Sequence, residues 1–128
     1  MKVFVLEDDG ERNNVFSKLF VNQELMISNN VDLSFKILSL IKFDYIFLDH
    51  DLGGKQLVNS LEQNTGYNLA TKIHLTKNTL TPIIIHSYNP VGARNMEAIL
   101  KRNEINSLVY TSPFMGDNFK QILSHLKK

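Results

Sequence analysis

Asp49-His50-Asp51 places two carboxylates around an imidazole, directly after the apolar run Tyr45-Ile46-Phe47-Leu48 and just before Gly53-Gly54. A short apolar run ending in charge has the pattern of a buried strand that stops at a sharp turn. Metal and phosphate sites form at such turns in α/β proteins. A second acidic group, Glu7-Asp8-Asp9, ends the apolar run Lys2 to Leu6. Converging carboxylates repel one another and stay ionised only beside a cation or a shared proton. An all-oxygen set suits a hard ion such as Mg2+ (or Mn2+), which makes Glu7, Asp8, Asp9 and Asp49 the metal candidates. Asp9 has a second reading as the cap of the helix that follows.

Two histidines stand at the ends of apolar runs, His50 and His86. Paired imidazoles can divide the general-base and general-acid roles on a phosphate ester. With Asp49 and Asp51 they form the catalytic candidates. Strand alternation raises an objection, because it sets Asp49 and Asp51 on one side and His50 on the other unless the chain has already turned. A lone histidine after an apolar run is also more often a packed core residue. His74 and His125 fall within helical patterns and are expected at the surface. Ser87, Asn89 and the helix start at Asn89-Pro90 are phosphate candidates, since amides at a helix N-terminus attract anions. The amides near Val91 and Gly92 are the ones available, and Gly92 has no side chain to block close approach. Arg94 and Asn95 can bind phosphate or a base; Arg94 is equally well read as a solvated helix charge.

The elements that must position these residues follow from periodicity. Strands are predicted over Lys2–Leu6, Leu25–Ile27, Tyr45–Leu48, Pro82–Ile85 and Leu108–Tyr110. Between them lie helical patterns. One begins near Glu11 with Val15, Phe16, Leu19 and Phe20 on a stripe. A second is capped by Asp32 and carries Leu33, Ile37, Leu38 and Ile41. Gly66 opens a third with Leu69, Ala70 and Ile73. The fourth starts at Asn89-Pro90 and buries Met96, Ile99 and Leu100, and a last one carries Phe119, Ile122, Leu123 and Leu126. A short helix is possible around Leu57, Val58 and Leu61, and the long Gly53–Thr65 connection could act as a lid. Alternation of strand and helix implies a single-domain three-layer α/β sandwich over residues 1–128 with a five-stranded parallel sheet. Right-handed crossovers then gather the acids, both histidines, Ser87 and Thr111-Ser112-Pro113-Phe114 at one edge.

Bulk composition narrows the classes. With 128 residues and 43% hydrophobic content the chain can build one real core. Fourteen basic residues against thirteen acidic ones give a net charge of +1 and no case for duplex-DNA steering. The absence of cysteine excludes disulfides, thiol catalysis and cysteine-ligated zinc. No apolar run approaches the roughly 20 residues of a membrane span, and the first run is too short for a signal-peptide core, so a cytoplasmic protein is expected.

The acids after the first strand, Asp49 after the third, Ser87 after the fourth and Pro113-Phe114 after the fifth resemble a response-regulator receiver domain. That resemblance implies a flavodoxin-like strand order 2-1-3-4-5. It also implies Mg2+ bound by Asp49 with Glu7 and Asp8, or Asp8 and Asp9, with Asp49 as phosphoacceptor and Ser87 as the switch residue. Two features depart from it. Ser112 stands where signalling receivers carry a lysine, and His50 and His86 replace apolar residues. The strings Leu48-Asp49-His50-Asp51-Leu52-Gly53, Thr65-Gly66-Tyr67 and His86-Ser87-Tyr88-Asn89-Pro90-Val91, with Asn95-Met96, more closely resemble the cyclic-phosphate processing receiver family of bacteria and their phages. This narrower resemblance implies a stand-alone domain that binds or hydrolyses a cyclic phosphate, a 2′,3′-cyclic RNA end or a cyclic nucleotide. The alternative is a non-enzymatic pseudo-receiver that senses a cyclic nucleotide or binds a protein partner.

Overall fold

The computed structural model describes residues 1–52, 59 and 61–110. In it the apolar runs form five strands: β1 Lys2–Leu6, β2 Glu24–Ser28, β3 Tyr45–Leu48, β4 Ile83–His86 and β5 Ser107–Tyr110. Every neighbouring pair is parallel, and the order is the expected β2-β1-β3-β4-β5. The described helices are α1 Gly10–Leu19, α2 Val31–Leu40, α3 Gly66–Ala70 and α4 Pro90–Arg102. The expected last helix, the Thr111–Phe114 corner and most of the Gly53–Thr65 connection lie outside the described residues.

Alternation along the strands divides the core in two. On one face Phe4, Leu6, Ile46, Leu48, Ile83 and Ile85 pack with Leu38 of α2, Leu69 of α3 and Met96 and Leu100 of α4. On the other, Val3, Val5, Phe47 and Ile84 pack with Phe16 and Phe20 of α1. The three layers are therefore α2, α3 and α4, the sheet, and α1. No described helix is long and apolar enough to cross a membrane.

Several local expectations shift. α2 is capped by Asn30, whose side chain accepts from the Leu33 amide at 2.9 Å; Asp32 lies in its first turn instead. Leu33 is turned outward, and Val31, Ser34 and Leu38 form the buried stripe. The helix opened by Gly66 stops at Ala70, and Ile73 is buried from a separate 3-10 turn over Ile73–Leu75. β4 begins one residue later than expected, at Ile83, because Pro82 has no N–H to give the ladder. His86 thus belongs to the strand itself.

Asn78, fully buried, ties the lower end of the sheet to α2. Its amide donates to the carbonyls of Leu38 and Ile41, both at 2.8 Å, and its carbonyl accepts from the Phe43 amide at 2.8 Å and the Thr81 hydroxyl at 2.9 Å. Removing it takes a partner from all four at once, and of these the Thr81 hydroxyl keeps the Phe43 carbonyl at 3.0 Å. Asn78→Ala is expected to cost about 2–4 kcal/mol in chemical denaturation, with an unchanged denaturant slope.

Candidate acidic and imidazole site

Strand register builds the site. Leu6 pairs with Leu48, and Leu48 pairs with Ile85. One residue further on, Glu7, Asp49 and His86 form a row at the C-terminal edge. By alternation the row shares the face of Val5, Phe47 and Ile84, the face that α1 covers. Glu7 and Asp49 end adjacent strands at the point where the chain order reverses, from β1 outward to β2 and outward again through β3.

Glu7 is the hub. It is fully buried, and its Oε2 accepts from His86 Nε2 at 3.1 Å while Oε1 accepts from the Arg12 guanidinium. Burial pushes Glu7 up, but the hydrogen bond and charge of His86, then Asp49 and Arg12, outweigh it and hold Glu7 below its ordinary value. Asp49 moves the other way. Burial first, and the neighbouring Glu7 charge second, push it up to about 9. Its backbone-facing oxygen accepts from the His50 amide at 2.8 Å, while Oδ2 accepts no hydrogen bond among the described residues. His86 packs its ring 5.2 Å from Phe16 and 6.3 Å from Phe47, and burial, only partly offset by Glu7, keeps it below its ordinary value.

Glu7, Asp8 and Asp49 each bring an oxygen within 4.8 Å of the others. Three carboxylate oxygens, one of them a buried acceptor with no donor, form a set that fits a hard divalent cation. Asp9 stands apart from that set. Its carboxylate caps α1, accepting from the Arg12 amide at 2.9 Å.

His50 lies on the opposite face of the sheet, that of Leu48, against the start of α4. Asp51 Oδ1 sits 2.8 Å from its Nδ1 and also accepts from Asn89 Nδ2 at 3.1 Å. The Asn89 amide cannot be turned around, because its Oδ1 already caps α4 by accepting from the Gly92 amide at 2.9 Å. Asn89 Nδ2 also stands 3.4 Å from Nδ1; in the tautomer whose Nδ1–H donates to Asp51, Nε2 is the acceptor nitrogen of the ring. The two imidazoles expected as an acid–base pair thus face opposite sides of the sheet, His86 beside Glu7 and His50 beside Asp51 and Asn89.

The phosphate candidates separate as well. The Gly92 amide is used by its own cap, and the glycine instead makes room for His50: a Cβ there would lie 2.4 Å from His50 Cγ. Ser87 is buried, and its hydroxyl oxygen accepts from the Asn89 amide at 3.0 Å. Arg94 is exposed on α4. Asn95 lines a cavity of about 290 Å³ beside Tyr67, Ala98 and Ile99. The residue not foreseen is Arg12, whose charge reaches both Glu7 and Asp49.

A five-stranded parallel sheet in this order, with carboxylates at the reversal point, is the architecture of a receiver domain. Solved receivers superpose on nearly the whole chain. The receiver domain of a Pseudomonas aeruginosa sensor histidine kinase, solved with a magnesium ion coordinated in its active-site cleft, matches with a TM-score of 0.71 at 15% identity, covering 99% of this chain and 98% of that one. Chemotaxis protein CheY4 of Vibrio cholerae gives 0.71 at 15% identity, covering 98% and 97%. Response regulator TrrA of Thermotoga maritima, in complex with Mg2+-BeF, gives 0.68 at 15% identity, covering 98% and 97%. Among curated proteins, none matches the sequence. Residues 1–102 match the cyclic-phosphate processing receiver domain, and the chain belongs to that family.

Proposed function

We propose that this domain binds a cyclic phosphate at the C-terminal edge of the sheet, between the acidic cluster on one face and His50 on the other, and opens it by metal-assisted hydrolysis with His50 as the acid–base group. The observation that carries this reading is the fixed Asp51–His50 dyad, oriented by Asn89 and adjacent in sequence to Asp49. A cation such as Mg2+ or Mn2+ held by Glu7, Asp8 and Asp49 would supply positive charge to a phosphoryl oxygen as negative charge develops there.

The chain's own groups account for the proton. With Nδ1 donating to Asp51, Nε2 of His50 takes a proton from the attacking water. The water oxygen bonds to phosphorus, one ring P–O bond breaks, and the proton passes on to the released hydroxyl, giving a phosphate monoester. His86, bonded to Glu7, is a positioning residue for that carboxylate. The Ser87 hydroxyl has a hydrogen to offer a phosphate oxygen. The substrate class is a 2′,3′-cyclic RNA end or a cyclic nucleotide.

A second reading rests on burial. His50 and His86 are 0% and 1% exposed, which favours a domain that holds a cyclic phosphate intact, as a sensor, or that presents a surface to a protein partner.

The test is 31P NMR of 2′,3′-cyclic AMP, and of RNA ending in a 2′,3′-cyclic phosphate, incubated with the protein and Mg2+. Conversion to monoester is expected, lost on chelation and lowered about 10²- to 10⁴-fold in His50→Gln. Saturable binding with intact recovery would leave the sensor. Absence of binding by either probe would overturn the cyclic-phosphate reading.

A further inference from the structure

Arg12 sits in the first turn of α1 and reaches back over the end of β1. Its Nε donates to Glu7, its Nη2 stands 3.5 Å from Asp49 Oδ2, and its guanidinium carbon lies 5.2 Å from the centre of the Tyr88 ring. The side chain is 19% exposed, so it spans from the buried acids to the surface, where Tyr88 is half exposed. One cation therefore bridges two of the three carboxylates that fit a metal, and rests one face on an aromatic ring that reaches the surface.

These positions conflict with a divalent cation. The metal would take the same oxygens and bring two further positive charges beside the guanidinium. Arg12 keeps a favourable place even then, because the Tyr88 face holds a guanidinium by cation–π attraction. From there its planar fork of donors matches the oxygens of a phosphate.

We propose that Arg12 has two places. Without metal it is the stand-in cation beside the Glu7–Asp49 pair; with metal bound it turns toward Tyr88 and clamps the ligand's phosphate. The clamp rests on the cyclic-phosphate reading above. The displacement by metal does not. A residue serving only to hold the fold would weaken both ligands when replaced, whereas these two roles predict opposite signs.

The experiment is calorimetric titration of wild-type protein, Arg12→Gln and Arg12→Lys, first with Mg2+ alone and then with inorganic phosphate and 2′,3′-cyclic AMP in saturating Mg2+. Melting with Mg2+ present confirms that each variant is folded. Arg12→Gln is expected to bind Mg2+ at least about threefold tighter and the phosphate probes at least about tenfold weaker. Arg12→Lys, with the charge but not the fork, should fall between. Unchanged or weaker Mg2+ binding in Arg12→Gln overturns the displacement. Phosphate binding that Arg12→Gln retains in full overturns the clamp alone. Wild-type protein that binds neither probe overturns the clamp together with the cyclic-phosphate reading.

Discussion

Replacing Asp49 with Asn is expected to raise the melting temperature of the metal-free protein at alkaline pH and to abolish its response to Mg2+. Asp49 is buried beside Glu7 and pushed up to about 9, against an ordinary value of 3.8. A carboxyl raised in the folded state favours folding as its protonated form. Its contribution is complete below the unfolded value and is lost as pH climbs through the folded one. From this group alone the metal-free protein should lose on the order of a few kcal/mol between about pH 4 and pH 9. Glu7 and His86 both lie below their ordinary values and work in the opposite direction, so the wild-type profile is a sum. The difference between Asp49→Asn and wild type isolates Asp49, since the amide keeps the shape without the charge. That difference should grow with pH in EDTA. Because a metal needs the ionised form, the Mg2+-induced shift of wild type should also grow from about pH 5.5 to about pH 8.5, and be absent in the variant. Scanning fluorimetry across this range is the check. An Asn variant destabilised at every pH in EDTA would contradict the account.

The same residues show how far sequence alone could reach. β3 is four consecutive apolar residues, and the acids that end β1 and β3 are visible as abrupt charge, so the parallel sheet and the Glu7, Asp8 and Asp49 cluster could be anticipated, while the strand order followed from the resemblance to receivers. The placement of His86 could not be anticipated, although alternation within β3 had already set His50 away from Asp49. Only the pairing of Leu48 with Ile85 carries His86 to the Asp49 face, and that pairing belongs to neither segment alone. Gly92 looks like an anion-binding amide until its donor is known to serve Asn89. Arg12 lies in the polar stretch Gly10–Asn14, where a cation reads as solvated. The available signal was the cap: with Asp9 holding the Arg12 amide, the first turn of α1 begins directly over the end of β1.

Gly66→Ala and Gly92→Ala are each expected to cost more than about 3 kcal/mol, yet only the second should be relieved by a partner substitution. A Cβ on Gly66 would lie 1.9 Å from the Asp49 carbonyl oxygen, and the Gly66 amide donates to the His50 carbonyl at 2.9 Å. The obstacle is the backbone that carries the acid, so relief requires moving the strand end itself. Failure to fold, or a loss of more than about 10 °C in melting temperature, should result. On Gly92 the obstacle is the His50 ring, a side chain pinned by Asp51 and packed against α4. His50→Ala removes that ring. The Gly92→Ala/His50→Ala double variant should therefore be more stable than the two single losses predict, with a coupling of about 1–3 kcal/mol, while Gly66→Ala combined with His50→Ala should be close to additive. Denaturation of both cycles decides the matter. Coupling at Gly92 means that contact with α4, as well as the bond to Asp51, sets the direction of Nε2. Additivity at Gly92 would mean that the ring yields freely, and a freely moving imidazole loses the fixed geometry on which a single acid–base histidine depends.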